Sequence, residues 1–314
     1  MTRLLLLLCL LGAGCSQPAI RLERELGAAS ASRPLRVQEL RRLLVRLRPL
    51  HGPPDPPAPG SWLAHVHEPG QTFEQYLTQN PTRPTATRRT IYVLPIGELD
   101  APRRRIVADV GRYLSAFFCL PVRLARPLPQ GDIPGGAWRR HPRWGIRQVG
   151  AERLLDDLLR PLLPADAAAL VGLTTVDLYP RQDWNYVFGM GSYRHRVAVV
   201  SMYRMGTPIV GHAESQRTVL ARTLRIVTHE TGHMLSVRHC IKHRCNMGGM
   251  NYTGELDRRP MELCPECLAK VLWATGCDPL ARYRRLARFC RDRGLGAQAA
   301  RFEALAAALS VTSL

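Results

Sequence analysis

Residues 229–247 read HETGHMLSVRHCIKHRCNM, and this stretch decides how the rest of the chain is interpreted. His229 and His233 are four residues apart. On a helix both imidazoles leave the same face one turn apart, a spacing that lets two nitrogens approach one Zn²⁺ at roughly 2.0–2.1 Å. Glu230 projects beside them, within reach of a proton on a water molecule at the metal. His239 lies six residues beyond His233. A continuing helix would carry it to another side, so the helix must end near Ser236–Arg238 and turn back to deliver a third ligand. Three neutral imidazoles leave the ion's charge intact and one position open, the composition of a catalytic rather than a closed structural site. The alternative, a buried helix with incidental histidines, is disfavoured. Leu224, Val227, Met234 and Leu235 already supply a core-facing stripe, and unpaired buried histidines and a carboxylate are costly.

A second cluster follows at once: Cys240-x4-Cys245 and Cys264-x2-Cys267, with Pro265 inside the second pair. Four thiolates at short spacings suit a closed tetrahedral structural Zn²⁺; two disulfides or four core thiols are the competing readings.

HETGHMLSVRHCIKHRCNM, followed by DRRPMELCPEC at residues 257–267, resembles the archaemetzincins, a branch of the metzincin metallopeptidases. The resemblance continues upstream through IYVLPIG (Ile91–Gly97), GLTTVDLYP (Gly172–Pro180) with Trp184, and VAVVSMYR (Val197–Arg204), and covers residues 68–290. It implies a catalytic zinc on His229, His233 and His239, with Glu230 as general base. It also implies a structural zinc on Cys240, Cys245, Cys264 and Cys267, hence two Zn²⁺ per chain. Met247 would form the Met-turn beneath the catalytic metal. The implied activity is peptide-bond hydrolysis, with a leaning towards aminopeptidase action on a peptide or protein substrate. One departure stands out. The family places Gly three residues after the second His, where this chain has Ser236. Gly adopts φ > 0 freely, whereas other residues incur roughly 1–2 kcal/mol.

The 314 residues leave room for one catalytic domain and an N-terminal extension. The formal charge is +19 and the pI about 10.5. That balance alone would suggest nucleic acid, but the arginines are dispersed and Lys242 and Lys270 are the only lysines. With no basic strand interleaved with aromatics, no nucleic-acid partner is expected. Residues 1–14 read as a signal peptide: Arg3, then the apolar Leu4–Leu11, then Gly12-Ala13-Gly14 before Cys15. Cys15 resembles a lipoprotein processing site, which implies export and membrane anchoring through a lipidated Cys15. The apolar stretch is too short for a transmembrane helix. Cys119, in the apolar run Leu114–Leu120, reads as a buried core thiol, and Cys277 with Cys290 could form a disulfide. The chain is expected to be a monomer.

Residues 15–67 read as an N-terminal extension with a helix over Val37–Leu47 and a linker over Pro49–Gly60, which holds six prolines and two glycines. Residues 68–314 are the metallopeptidase domain. Strands are expected at Ile91–Ile96, where Pro95 suggests an edge or strand end, and at Val122–Leu124, Ala168–Asp177 and Val197–Tyr203. By resemblance the last of these lies along the substrate cleft as an antiparallel edge. Helices are expected at Pro102–Cys119, Ala151–Leu159, Ser215–Leu235 with Glu214 or Ser215 as cap, Cys264–Thr275, Pro279–Arg291 and Ala297–Leu309. The fold class is therefore α/β (α+β), a metzincin-like zincin domain with a mixed twisted sheet, a long active-site helix and a helical C-terminal part. Tyr252 is a candidate to assist the oxyanion, and His212 and His243 are candidates to touch substrate or metal. The rival reading is a catalytically silent, zinc-stabilised peptide-binding lipoprotein. Glu230 argues against it, because a structural zinc does not need that carboxylate.

Overall fold

Thr90–Ile96 (TIYVLPI) is buried at every position. Side chains alternate across a strand, and here Ile91 and Val93 enter one core while Tyr92, Leu94 and Ile96 enter another. A sheet covered on both faces is the natural consequence. The computed structural model describes residues 20–25, 35–206 and 215–310. Its strands are β1 (Leu22–Glu25), β2 (Thr90–Ile96), β3 (Val122–Ala125), β4 (Trp138–Arg140), β5 (Arg147–Gly150), β6 (Ala167–Thr174), β7 (Asp177–Tyr179), β8 (Gly189–Gly191) and β9 (Val197–Ser201). Its helices are α1 (Val37–Leu47), α2 (Trp62–His65), α3 (Phe73–Thr78), α4 (Ala101–Phe118), α5 (Ala151–Arg153, continued by a wider π-type turn to Leu159), α6 (Tyr203–Gly206), α7 (Gln216–Met234), α8 (Thr253–Arg258), α9 (Pro265–Thr275), α10 (Pro279–Asp292) and α11 (Gly296–Ser310).

The main sheet runs β1-β3-β2-β6-β9-β8. Its four middle strands are parallel and both outer strands antiparallel to their neighbours. A second sheet has the order β4-β5-β7. This is the expected mixed α/β fold, with three differences. β2 is an interior strand, not an edge; Pro95 is tolerated because pairing to β3 stops at Val93↔Leu124, two residues earlier. The apolar run 168–177 is two strands, since the chain leaves the main sheet after Thr174 and joins the small sheet at Asp177. And Val197–Ser201 is not the edge. It pairs parallel to β6 on one side, while the short β8 covers its other side antiparallel.

The extension is not a detached arm. α1 carries Leu40, Leu43, Leu44 and Leu47 on one face, and all four enter the main core. The proline-rich segment after it lies along the metal loop: the Arg244 amide donates to Gly52 O at 3.2 Å, and Ser61 is buried. Proline-rich backbone lacks donors of its own, which suits an extended strip laid on a neighbour.

Cys119 is buried as expected but is disulfide-bonded to Cys277, and Cys290 is a buried free thiol, so the Cys277–Cys290 pairing is corrected. The termini of α4 and α9 explain this. Cys119 caps α4 in the left-handed region and Cys277 directly follows the Gly276 cap of α9, so both chain ends turn towards each other. The signal segment, Cys15, His212 and Glu214 lie outside the described residues. Among the described residues, no helix is long and apolar enough to cross a membrane.

Candidate active site

α7 begins at Ser215, whose hydroxyl accepts from the Thr218 amide at 3.2 Å, and packs on the main sheet. It presents His229, Glu230 and His233 as buried side chains. Its end is a two-bond turn: Ser236 N donates to His233 O at 2.8 Å and Val237 N to Gly232 O at 3.1 Å. That motif puts its middle residue in the left-handed region, and Ser236 has φ 62°. Serine occupies the position at a cost, but its side chain is used. Ser236 Oγ accepts from Thr82 N at 3.0 Å and donates to Tyr193 O at 3.2 Å. Tyr76 Oη donates to Leu235 O at 2.8 Å, and Gln71 bridges Ser236 O and the Arg238 amide. The turn is fixed from outside rather than by glycine.

The turn brings His239 back to the first two histidines. Each Nδ1 has an acceptor: His229 on Asn246 O at 2.8 Å, His233 on Val237 O at 2.7 Å, His239 on the Glu68 carboxylate at 2.8 Å. A carbonyl or carboxylate only accepts, so Nδ1 carries the proton and Nε2 its lone pair. The three Nε2 atoms converge, with His229 3.0 Å from His233 and 3.2 Å from His239. Three lone pairs facing one another are repulsive without a cation between them. Ligands at tetrahedral Zn–N distances would stand ~3.3 Å apart, so the set fits zinc. Burial and the neighbouring His239 push His233 down to about 3, and burial and His233 push His229 well below the ordinary imidazole range. Both are therefore neutral at physiological pH and able to offer Nε2 to a metal.

The four cysteines also meet. Cys240, Cys245, Cys264 and Cys267 place their sulfurs within 4.8 Å of one another. Cys240 Sγ is 3.6 Å from Cys264 Sγ, against ~3.8 Å for tetrahedral Zn–S bonds. The Cys245 sulfur accepts amide N–H groups from Met247 at 3.4 Å and Cys264 at 3.2 Å. Thiol donors from Cys245, Cys264 and Cys267 hold Cys240 well below the usual range, while burial raises Cys245.

Met247 is wholly buried under α7. A Cβ on Gly232 would stand 2.5 Å from Met247 Sδ, so the glycine in HETGH is there to admit the methionine. Glu230 faces β8. Burial pushes its carboxyl up to about 8, partly offset by a hydrogen bond from the Gly191 backbone. Gly191 is also a close approach, since a Cβ there would lie 2.6 Å from Glu230 O. The Gly-Met-Gly of β8 thus lets a sheet edge lie directly on the catalytic helix. A cleft of 430 Å³ opens here, walled by Tyr186, Phe188, Met190 and Ile226 and floored by the histidines and Glu230.

Tyr252 stands aside from this cleft, paired to Arg258 at 2.9 Å. His243 lines a separate pocket beside the cysteines. Three residues that the sequence did not single out do belong to the cleft or its support. Tyr193 packs its ring 4.9 Å from His233, and desolvation together with Glu230 pushes its hydroxyl up to about 12. Glu68 accepts from His239 and also from Trp62 Nε1 at 3.1 Å. Trp62 in turn sets its edge on His239 at 5.1 Å. Only long-range packing joins them to the motif, so no local pattern could reveal them.

The sequence profile of Peptidase family M54 matches residues 148–272. Archaemetzincin-2 of Homo sapiens is 32% identical over 276 residues, 77% of this chain and 75% of that protein. The chain belongs to the archaemetzincin family. With the family comes the enzyme class: a zinc metallopeptidase that hydrolyses peptide bonds. The archaemetzincin of Thermococcus kodakarensis is 38% identical over 187 residues, 59% of this chain and 96% of its own length. The crystal structure of the archaemetzincin from Methanopyrus kandleri aligns with a TM-score of 0.49 at 24% identity, covering 62% of this chain and 99% of that one.

Proposed function

We propose that this archaemetzincin carries two zinc ions per chain, a catalytic one on His229, His233 and His239 and a structural one on Cys240, Cys245, Cys264 and Cys267. The convergence of three proton-free Nε2 atoms beside Glu230 carries this reading. Zinc, when bound, supplies Lewis-acid polarisation of the scissile carbonyl and makes water acidic enough to ionise near neutral pH. Glu230 acts as general base: it takes a proton from the attacking water and hands it to the leaving nitrogen. Its buried carboxyl, raised towards neutrality, is suited to moving a proton in both directions. The substrate backbone pairs with the free edge of β8 by strand addition, and the apolar wall of the cleft takes a side chain next to the scissile bond. Tyr193 is placed to donate a hydrogen bond to the oxyanion.

We further propose a preference for peptides with a free N-terminus, as the family resemblance implies, and export with lipid anchoring at Cys15 on the sequence of the N-terminal segment alone. The test is a peptide-library digest by the zinc-loaded protein beside Glu230→Gln, using matched free and N-acetylated peptides. Expected are cleavage by the parent and binding of zinc without turnover by the variant. Full activity in Glu230→Gln would exclude the general-base role, and equal cleavage of acetylated peptides would exclude the N-terminal preference.

A further inference from the structure

Beside α7 lies a further cavity of 440 Å³, none of whose lining residues belongs to the substrate cleft. It is lined by five arginines, Arg225, Arg244, Arg258, Arg259 and Arg301. Its two carboxylates are both already engaged: Asp257 takes both arms of Arg222 at 2.8 and 2.6 Å, and Glu262 pairs with Arg301 at 2.7 Å. Arg225 is the informative member. It is only 7% exposed, its Nε donates to Arg259 O at 2.7 Å, and among the described residues no carboxylate is in ion-pair contact with it, Asp257 and Glu262 acting on it only from further off. A guanidinium buried that deeply ordinarily has a counter-charge. Facing the same cavity is His51, 9% exposed. Its Nδ1 meets Leu47 O at 3.1 Å, and its Nε2 has no partner. Because a carbonyl only accepts, the proton sits on Nδ1 and the partnerless Nε2 presents a lone pair.

Arg244, Arg259 and Arg301 are paired with Asp55, Glu255 and Glu262, so the cavity offers a buried guanidinium with no carboxylate in contact, a second guanidinium without such a contact on Arg258 and one buried acceptor. Hydrogen phosphate and phosphomonoesters match all three, with anionic oxygens for the arginines and an acid O–H for His51 Nε2. Sulfate has the charge without the O–H. We propose that this cavity is a binding site for a small phosphate-bearing ligand, held by Arg225 and His51. The site is tied to the catalytic helix. Arg225 is one turn before His229, and Glu262 O accepts the amide of Asn246, whose own carbonyl accepts from His229.

The test uses the zinc-loaded full chain and inorganic phosphate, with sulfate at equal ionic strength as comparison. A zinc-binding peptide hydroxamate is present at saturation to block the catalytic metal. Thermal unfolding and ³¹P NMR line broadening are read together. Expected is a saturable rise in Tm and broadening with phosphate, weaker with sulfate, both persisting under hydroxamate. Arg225→Gln should weaken phosphate binding about tenfold or more, the loss of one charge-assisted hydrogen bond, and His51→Phe should abolish the preference for phosphate over sulfate. If Arg225→Gln does not fold, the parent titration and His51→Phe decide. Absence of saturable binding in the parent, loss of the signal under hydroxamate, or a parent-like titration by either variant would overturn the proposal.

Discussion

Glu68 is the residue through which the segment before α3 reaches His239, and its removal gives the sharpest test of how the proposed third ligand is held. Its carboxylate accepts from His239 Nδ1 at 2.8 and 3.0 Å and from Trp62 Nε1 at 3.1 Å. Burial alone would raise its pKa, but the hydrogen bonds from His239 and Trp62 outweigh that and keep it ionised. An anionic acceptor fixes the imidazole tautomer and makes Nε2 a better donor to a metal. Loss of such a partner typically costs 10–100-fold in metal affinity, or about 1.4–2.7 kcal/mol. Glu68→Gln keeps a carbonyl acceptor but not the charge and should fall near the lower bound; Glu68→Ala, which also frees the Trp62 indole, should approach the upper. The assay is competition with a chromophoric chelator, which resolves two zinc populations. The ion proposed for the four cysteines serves as the internal reference, because Glu68 bonds to none of them. The expected result is one weakened population and one unchanged. Equal affinities in both variants and the parent would refute the argument. Parallel weakening of both ions would mean that Glu68 supports the fold rather than His239.

Gly191→Ala would place a Cβ 2.6 Å from the Glu230 carbonyl and force β8 off α7, so kcat should fall on the order of 10–100-fold with zinc content retained. Ser236→Ala keeps the left-handed strain but loses both hydroxyl bonds, and should destabilise by about 1–2 kcal/mol in urea unfolding. Ser236→Gly trades those bonds for relief of the strain and should lie within about 1 kcal/mol of the parent. Cys245→Ser should lower retained zinc at both sites after gel filtration, since the same segment positions His229 and Met247; an unchanged catalytic zinc content would separate the two sites. In chelator-stripped, reduced protein, His229 and His233 bind protons more weakly when folded, so their contribution to stability falls as pH drops below about 6.5. Glu230 is the opposite: its folded pKa is raised to about 8, so its contribution falls as pH rises from the usual carboxyl range through 8. Between pH 6.5 and 8 the stripped parent should lose Tm, and Glu230→Gln should lose less; identical slopes would show that Glu230 does not titrate in that window.

What the sequence displayed was whatever local periodicity and ligand spacing encode. The i,i+4 histidines, the necessary break before His239 and the paired cysteines fall where short-range geometry puts them, and α1 occupies the expected Val37–Leu47 because its leucines recur at helical spacing. What stayed hidden depends on distant pairing. β8 has three residues, two of them glycines, and no alternation to signal a strand. Its identity as the cleft edge arises only from lying on β9 and Glu230. Pro95 pointed to an edge or a strand end; it stands one residue from the end of an interior strand, and a sequence does not show where the neighbouring strand stops. Trp62 and Glu68 lie just beyond the proline-rich Pro49–Gly60 that reads as a linker, and the link from Glu68 to His239 spans 171 residues.

In the proposed two-zinc arrangement the cysteine pairs also hold the parts of the histidine site that α7 cannot hold itself. Cys240 follows His239 directly, and its amide donates to Met247 O at 2.8 Å, so His239 and Met247 are tied across one bond. Cys245 precedes Asn246, whose carbonyl fixes the His229 tautomer and whose side chain donates to Thr228 on the same helix at 2.7 Å. A glycine at the helix break would leave the return path of the chain free to vary. Here Ser236 is pinned by Thr82 and Tyr193, His239 by Glu68, and the loop beyond by four sulfurs. Serine at 236 is thus compatible with the proposed ligand set because the position of His239 is determined on both sides of the turn, and flexibility at the turn itself is not required. It follows that Ser236→Gly should leave catalytic zinc affinity unchanged in the parent background and weaken it in Glu68→Ala, where one of the outer restraints is gone. Additive effects of the two substitutions in the chelator competition would refute this division of labour, since residues sharing one restraint are expected to couple.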